Sequence, residues 1–310
     1  MYFFLFLFGL AIGSFLNVVS MRFKPEQGIF DFKIIGGRSH CPHCRKTLQW
    51  HELVPIFSFL FQKGKCRSCN NKLSFQYPII EILTGLIFVF VPLLLINFQF
   101  SIYNFQSIFN LSILQLIIIA LWLLVFILFL LLSIIDFRHY IIPDSINLSL
   151  AILGVILIIF NFQFSIFNQF SITQLSNSFL GHYAMLFNFW PLSVVNGQLS
   201  VVISHLFAAL IAMAFYGLII ILSRGRGMGW GDFKLIGAIG LIFGWPDTLI
   251  ISLLAFVIGS IFVAPLLIQK RKKMKDAVPF GPFIVAAAAV VFFFGFQLAD
   301  AYFKFFNLFI

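Results

Sequence analysis

The chain has 310 residues, of which 61% are apolar, 10% are charged and 45 are Phe. A soluble globular protein carries about 45–50% apolar and about 25% charged residues, so a water-soluble domain is excluded and the bilayer is the expected solvent. The net charge of +10 raises nucleic acid as a partner, but the positions of the basic residues point elsewhere. Ten of the twenty lie between Arg22 and Lys72, and nine more are Arg138, Arg224, Arg226, Lys234, Lys270, Arg271, Lys272, Lys273 and Lys275. These nineteen share one side if every long apolar run crosses once, the asymmetry of cytoplasmic loops. The expectation is an all-α polytopic membrane protein with about eight transmembrane helices and a small cytoplasmic zinc-binding domain, partnered by membrane lipid and by no nucleic acid.

Residues 1–21 are uncharged and end at Arg22. They lack the basic start of a cleaved secretory signal and read as a retained first span with its N-terminus outside. Residues 22–77 are polar, hold all four cysteines and form the one candidate for a water-facing domain. Span two is expected over 78–96, an uncharged external connection over 97–112, and span three over 113–135, delivering Asp136 to the cytoplasmic face. Span four follows over 145–160. The segment 161–198 has no Asp, Glu, Lys or Arg, which suits the outer side and leaves its role open. The string NFQFSI at 97–102 recurs at 161–166, too short for a structural repeat and read as compositional bias. Span five covers 200–222 and is followed by a Gly-rich run, 224–232. The apolar stretch 234–244 is short: at about 1.5 Å per residue it reaches only part of the way through a core of about 30 Å. Residues 247–268 return inward to the basic cluster at 270–275, and 283–298 leave again.

Cys41 and Cys44, then Cys66 and Cys69, are two C-x2-C pairs separated by 21 residues, the spacing of a four-thiolate zinc site. Arg45, Lys46, Lys65 and Arg67 would offset the thiolate charge. Four cysteines fill a tetrahedral ion and leave no position for water, so the metal would be structural. Two disulfides are the alternative, disfavoured by a cytoplasmic location. His40, His43 and His51 are expected to be solvated.

Only ten acids occur, and an ionisable group at the edge of an apolar span is read as functional by default. Asp136 closes span three in SIIDFRHYIIPD and Asp232 closes the turn GMGWGD. Gly227, Gly229 and Gly231 remove alternate Cβ atoms, which would let a peptide backbone approach and let the turn adopt positive φ. Two carboxylates a few ångströms apart share a proton, so one can deprotonate water while the other hydrogen-bonds a peptide carbonyl. The plainer alternative is that Asp136 meets Arg138 or headgroups and Asp232 caps a helix. Asp144 follows Pro143 and suits a helix N-terminus or a supporting place beside the site. Asp247 resembles a cap on the outer side. Glu81, inside span two, is either paired within the bundle or part of a second site.

Together these segments resemble the type IV prepilin leader peptidases, membrane aspartic proteases of the Gly-x-Gly-Asp kind. GLAIGSFLNVVSMRF is similar to the family's opening, SHCPHCRKTLQWHELVPIFSFLFQKGKCRSCNNKLSFQYPIIEILTG to its cysteine region, SIIDFRHYIIPD and GMGWGDFKLIGAIG to its two catalytic segments, and VPFGPFIVAA to its last cytoplasmic stretch. The resemblance implies that Asp136 and Asp232 are the catalytic pair, supported by Asp144, Gly229, Gly231 and Glu81. It implies cleavage of prepilins or pseudopilins at the cytoplasmic edge of the bacterial inner membrane, after a Gly that precedes an apolar helix. It further implies methylation of the new N-terminus with S-adenosylmethionine, associated with the cysteine region. No G-x-G-x-x-G cofactor turn occurs, so methyl transfer rests on the resemblance alone. The domain reading is therefore a first span at 1–21, a zinc and methyltransferase region at 22–77 and a peptidase domain at 78–310. The uncharged segment 161–198 is longer than the family pattern. Two alternatives remain: a Gly-x-Gly-Asp protease of another membrane substrate, and a non-enzymatic assembly or transport protein using the aspartates as an ion path.

Overall fold

The computed structural model describes residues 2–25, 32–100, 113–160, 198–270 and 277–307. Of the external connection expected over 97–112, residues 97–100 are helical, continuing span two, and residues 101–112 lie outside the described residues, as do the uncharged segment up to residue 197 and the basic residues 271–275. The chain divides into two compact units, residues 1–139 and 140–310. Among the described residues the structure is helical, with two isolated bridges, His40 to Thr47 and Lys65 to Lys72, in place of any sheet.

The first unit contains α1 (Tyr2–Arg22), α2 (Phe32–Ile35), a 3₁₀ turn at Trp50–Glu52, α3 (Phe57–Phe61), α4 (Gln76–Phe100) and α5 (Ile113–His139). Helices in lipid gain little from burying apolar side chains, so close backbone approach at small residues does the packing. The GLAIG run of α1 supplies it: a Cβ on Gly9 would lie 2.8 Å from Gly85 Cα, and one on Gly13 would lie 2.8 Å from Glu81 Cα. Asn17 Nδ2 donates to the Tyr77 carbonyl across the same interface at 3.2 Å. At the end of α1, the Arg22 guanidinium donates to the carbonyls of Ile34, Gly36, Gly37 and Arg38 and gathers the chain that leaves the helix.

The second unit contains α6 (Asp144–Ile159), α7 (Gln198–Leu222), α8 (Trp230–Phe243), α9 (Asp247–Ile268) and α10 (Gly281–Asn307). Short α8 is the buried centre, and its glycines admit its neighbours. A Cβ on Gly240 would lie 2.4 Å from Ala209 Cα of α7. Leu241 in turn reaches Gly154 of α6, where a Cβ would meet it at 2.8 Å.

Eight apolar helices therefore stand where crossings are expected. Five are long and apolar enough to span a membrane: Tyr2–Arg22, Gln76–Ile96, Ile113–His139, Val202–Leu222 and Asp247–Ile268. Asp144–Ile159 and Gly281–Gly295 are apolar but shorter, and α8 has 14 residues, about 21 Å at about 1.5 Å each. Length and composition thus establish five spanning helices among the described residues, and the expected eight crossings are not established.

Candidate metal centre and candidate catalytic carboxylates

The cysteine region is built from one turn used twice. Cys41 N–H donates to Lys46 O and Arg45 N–H to Cys41 O; twenty-five positions later Cys66 N–H donates to Asn71 O and Asn70 N–H to Cys66 O. Arg45 and Asn70 each take a positive φ, 56° and 55°, which turns the chain back after the second cysteine of each pair. The flanking bridges repeat the offset, His40 to Thr47 and Lys65 to Lys72. This equivalence is visible in the paired strings HCPHCRKT and KCRSCNNK.

All four thiols are free, and their sulfurs lie within 4.8 Å of one another, an arrangement that could hold a metal ion. Tetrahedral Zn–S bonds of about 2.3 Å place sulfurs about 3.8 Å apart, and Cys41 Sγ to Cys69 Sγ is 3.9 Å. The N–H groups of Cys69 and Ser68 hold the Cys66 thiol down at about 7. Cys69 goes the other way, to about 11: the Asn71 N–H lowers it, but burial and the sulfurs of Cys66, Cys44 and Cys41 raise it further. One easily ionised thiol beside one reluctant one, within a cluster of four sulfurs, is a donor set that a dication would complete. Among the histidines, His51 pairs with the Arg67 guanidinium, Nε2 to Nη1 3.2 Å.

The turn before α8 differs from its sequence-based expectation. Positive φ falls on Arg224 and Gly225, at 53° and 72°, rather than on Gly227, Gly229 or Gly231. Gly229 is extended (φ −86°, ψ 154°), and its N–H donates to Asp232 Oδ2 at 3.2 Å. Asp232 thus sits in the first turn of α8 with its carboxylate on the helix's leading amide, a favourable place for negative charge. Gly231 has a packing reason to lack a Cβ, which would lie 2.9 Å from Ile142 Cβ. Asp232 is 7% exposed.

Asp144 opens α6 and pairs with Lys234 of α8, Oδ1 to Nζ 2.8 Å. Three residues on, Asn147 Nδ2 reaches the Gly231 carbonyl at 3.4 Å. The beginning of α6 therefore holds the beginning of α8 at two points, one on either side of Asp232. Lys234 and Asn147 were not singled out from the sequence. The signal was there: a polar side chain three residues after Asp144 in an apolar helix, and a lysine two residues after Asp232.

In the first unit, α5 continues past Asp136 to His139, so Asp136 lies inside the last helical turn and is 4% exposed. The next basic residue, Arg138, donates instead to the Ser20 carbonyl of α1 at 3.4 Å. Glu81 is also buried, and its Oε2 accepts the Ile56 N–H at 2.7 Å. Ile56 is a β-branched residue at φ 60°, ψ −53°, a conformation costing about 1–3 kcal/mol that persists only where surroundings enforce it. Glu81 is thus paired, and what it pairs with is the backbone that leads into α3.

The family model described as Bacterial Peptidase A24 N-terminal domain matches residues 7–95, and the Type IV leader peptidase family model matches residues 123–264. The chain belongs to the type IV leader peptidase family. Among curated relatives, a prepilin leader peptidase/N-methyltransferase of Bacillus subtilis (strain 168) is 29% identical over 97% of each chain. Proteins of the same name are 27% identical in Stutzerimonas stutzeri, over 97% of this chain and 93% of that one, and in Aeromonas hydrophila, over 94% and 89%. No solved structure matches the chain. In this leader peptidase the N-terminal match contains the cysteine cluster and Glu81, whereas the second match contains Asp136, Asp144, Gly229, Gly231 and Asp232.

Proposed function

We propose that this protein is a membrane aspartic endopeptidase that removes the leader peptide of type IV prepilins or pseudopilins and N-methylates the new N-terminus. The observation that carries the reading is that two carboxylates 96 positions apart, Asp136 and Asp232, are each buried at a helix end in a chain of this family. The ionised member of the pair takes a proton from water as its oxygen attacks the peptide carbonyl carbon. The protonated member hydrogen-bonds the carbonyl oxygen, and the proton taken from water passes to the leaving amine as the C–N bond breaks. Asp144, through Lys234, and Gly231, through Ile142, position the turn that carries Asp232.

The basic residues orient the chain with Asp136, Asp232 and the cysteine region on the cytoplasmic side of the bacterial inner membrane, where a prepilin enters. The domain division that goes with this reading is a first span at 1–21, a cysteine and methyl-transfer region at 22–77 and a peptidase domain at 78–310. Cys41, Cys44, Cys66 and Cys69 would hold a structural zinc ion, fixing the two equivalent turns together. When bound, S-adenosylmethionine supplies an electrophilic methyl group, which the freed N-terminal amine accepts.

The test is to incubate membranes containing the protein with a candidate prepilin and S-adenosylmethionine and to read the product's N-terminus by mass spectrometry. A cut and methylated product is expected; an intact prepilin overturns the reading, and a cut but unmethylated one removes the transferase half.

A further inference from the structure

The segment 53–61 leaves Leu53, Val54, Phe57, Leu60 and Phe61 exposed, with Phe61 at 78% and neighbouring Trp50 at 80%. Five large apolar side chains in nine residues are out of place in a water-facing domain. Their level along the membrane normal follows from two contacts. Glu81 sits opposite Gly13 of α1, whose Cβ would lie 2.8 Å from Glu81 Cα. From Gly13 to Arg22, where α1 ends, is about 14 Å at about 1.5 Å per residue. Ile56 is within one glutamate side chain of that level, because its N–H donates to Glu81 Oε2 at 2.7 Å. The backbone at Ile56 therefore lies below the end of α1, beside the bilayer rather than above it. At that depth an irregular backbone must find its partners inside the protein, and the carboxylate of Glu81 provides one for the strained Ile56.

Charge continues the pattern. From Arg38 to Lys72 the basic residues are Arg38, Arg45, Lys46, Lys63, Lys65, Arg67 and Lys72, against the single acid Glu52. Lys63, Lys65 and Arg67 are exposed and follow the apolar segment directly. An open cleft of about 330 Å³ is lined by apolar Val54, Phe57 and Phe61 together with His51 and Arg67. Apolar side chains at the level of a span, followed by cations, make an interfacial element that meets acyl chains and phosphates together.

We propose that residues 53–61 are an interfacial foot, seated among the lipids of an anionic leaflet beside α4, with Lys63, Lys65 and Arg67 on the lipid phosphates. The cysteine turns then ride on this foot at a set height above the bilayer. The occupant is the lipid leaflet, since Ile56 is tied to Glu81 of α4, and α4 exposes Ile79, Ile82, Leu83 and Leu86 and is itself a membrane span.

The test uses the full, metal-loaded chain in phosphatidylethanolamine–phosphatidylglycerol nanodiscs that contain a phospholipid with a diazirine on its acyl chain. After irradiation, lipid adducts are mapped by peptide mass spectrometry. Adducts on 53–61 are expected within about twofold of those on 79–86 and at least about tenfold above those on 41–47. In the double variant Leu60→Glu, Phe61→Glu, adducts on 53–61 should fall at least about fivefold while metal content and α4 labelling stay unchanged. An unlabelled 53–61 beside a labelled α4 in the unaltered protein overturns the proposal. So does crosslinking of this segment to a second copy of the chain in place of lipid.

Discussion

The cysteine cluster and the aspartates are assembled in opposite ways. Four sulfurs come together from two copies of one local turn, twenty-five positions apart, within a single unit. The two acids stand 96 positions apart, one in the last turn of α5 in the first unit and one in the first turn of α8 in the second. A site made of local turns depends on its ligands and on little else. The proposed catalytic acids each depend on a separately packed helix end, so each is exposed to any change that moves its own helix.

The sharpest way to break this contrast is to neutralise an acid without changing its shape. Asp136→Asn or Asp232→Asn should each lower prepilin cleavage in membranes by at least about a thousandfold, since neither amide can accept a proton from water. Metal analysis of the same variants should show unchanged content, and retained cleavage in either would remove the catalytic assignment.

The converse change comes next in size. Cys41→Ser with Cys66→Ser should abolish metal binding, measured by elemental analysis, and open residues 40–72 to protease. Cleavage by the acids should persist at a substantial fraction of its normal rate. Equal loss of cleavage would show that the two regions are not independent.

A smaller effect sharpens the account of the turn before α8. Gly231→Ala should destabilise that turn by about 1–3 kcal/mol through overpacking against Ile142. Thermal unfolding of the detergent-solubilised protein checks it, and adding Ile142→Ala should return most of the loss. If Gly231 instead serves only to admit substrate, the second substitution will not help.

The smallest effect belongs to Asp144 and Lys234. Both side chains are largely exposed, so a double-mutant cycle with Asp144→Ala and Lys234→Ala should give a coupling of at most about 1 kcal/mol. A much larger coupling in cleavage rate than in stability would mark the pair as positioning the turn rather than holding the fold.

Much of this was legible beforehand. Long apolar runs have one solution in lipid, so the helices begin within a few residues of their expected places, though α10 runs nine residues past its expected end at Leu298, and the paired C-x2-C spacing foretold the cluster. Helix ends were harder. Span three looked finished at Ile135 because a charge follows it, yet α5 continues to His139, since Asp136 is accommodated inside the packed unit and Arg138 reaches back to Ser20. The glycines before α8 looked interchangeable in sequence. Only packing separates Gly225, which turns the chain, from Gly229, which presents its amide to Asp232, and Gly231, which makes room for Ile142. The Glu81–Ile56 contact joins residues 25 apart through a backbone amide, and no side-chain pattern announces such a partner.

The end of α1 carries a further consequence. Arg22 is the first cation after an uncharged span, the kind of residue that decides which way a nascent helix is threaded. Its guanidinium also clasps the carbonyls of Ile34, Gly36, Gly37 and Arg38. An instruction read once, during insertion, is thereby kept as a permanent fastening. Replacement by lysine would preserve the instruction and lose the clasp, because a point-like ammonium cannot match a planar fork of five donors.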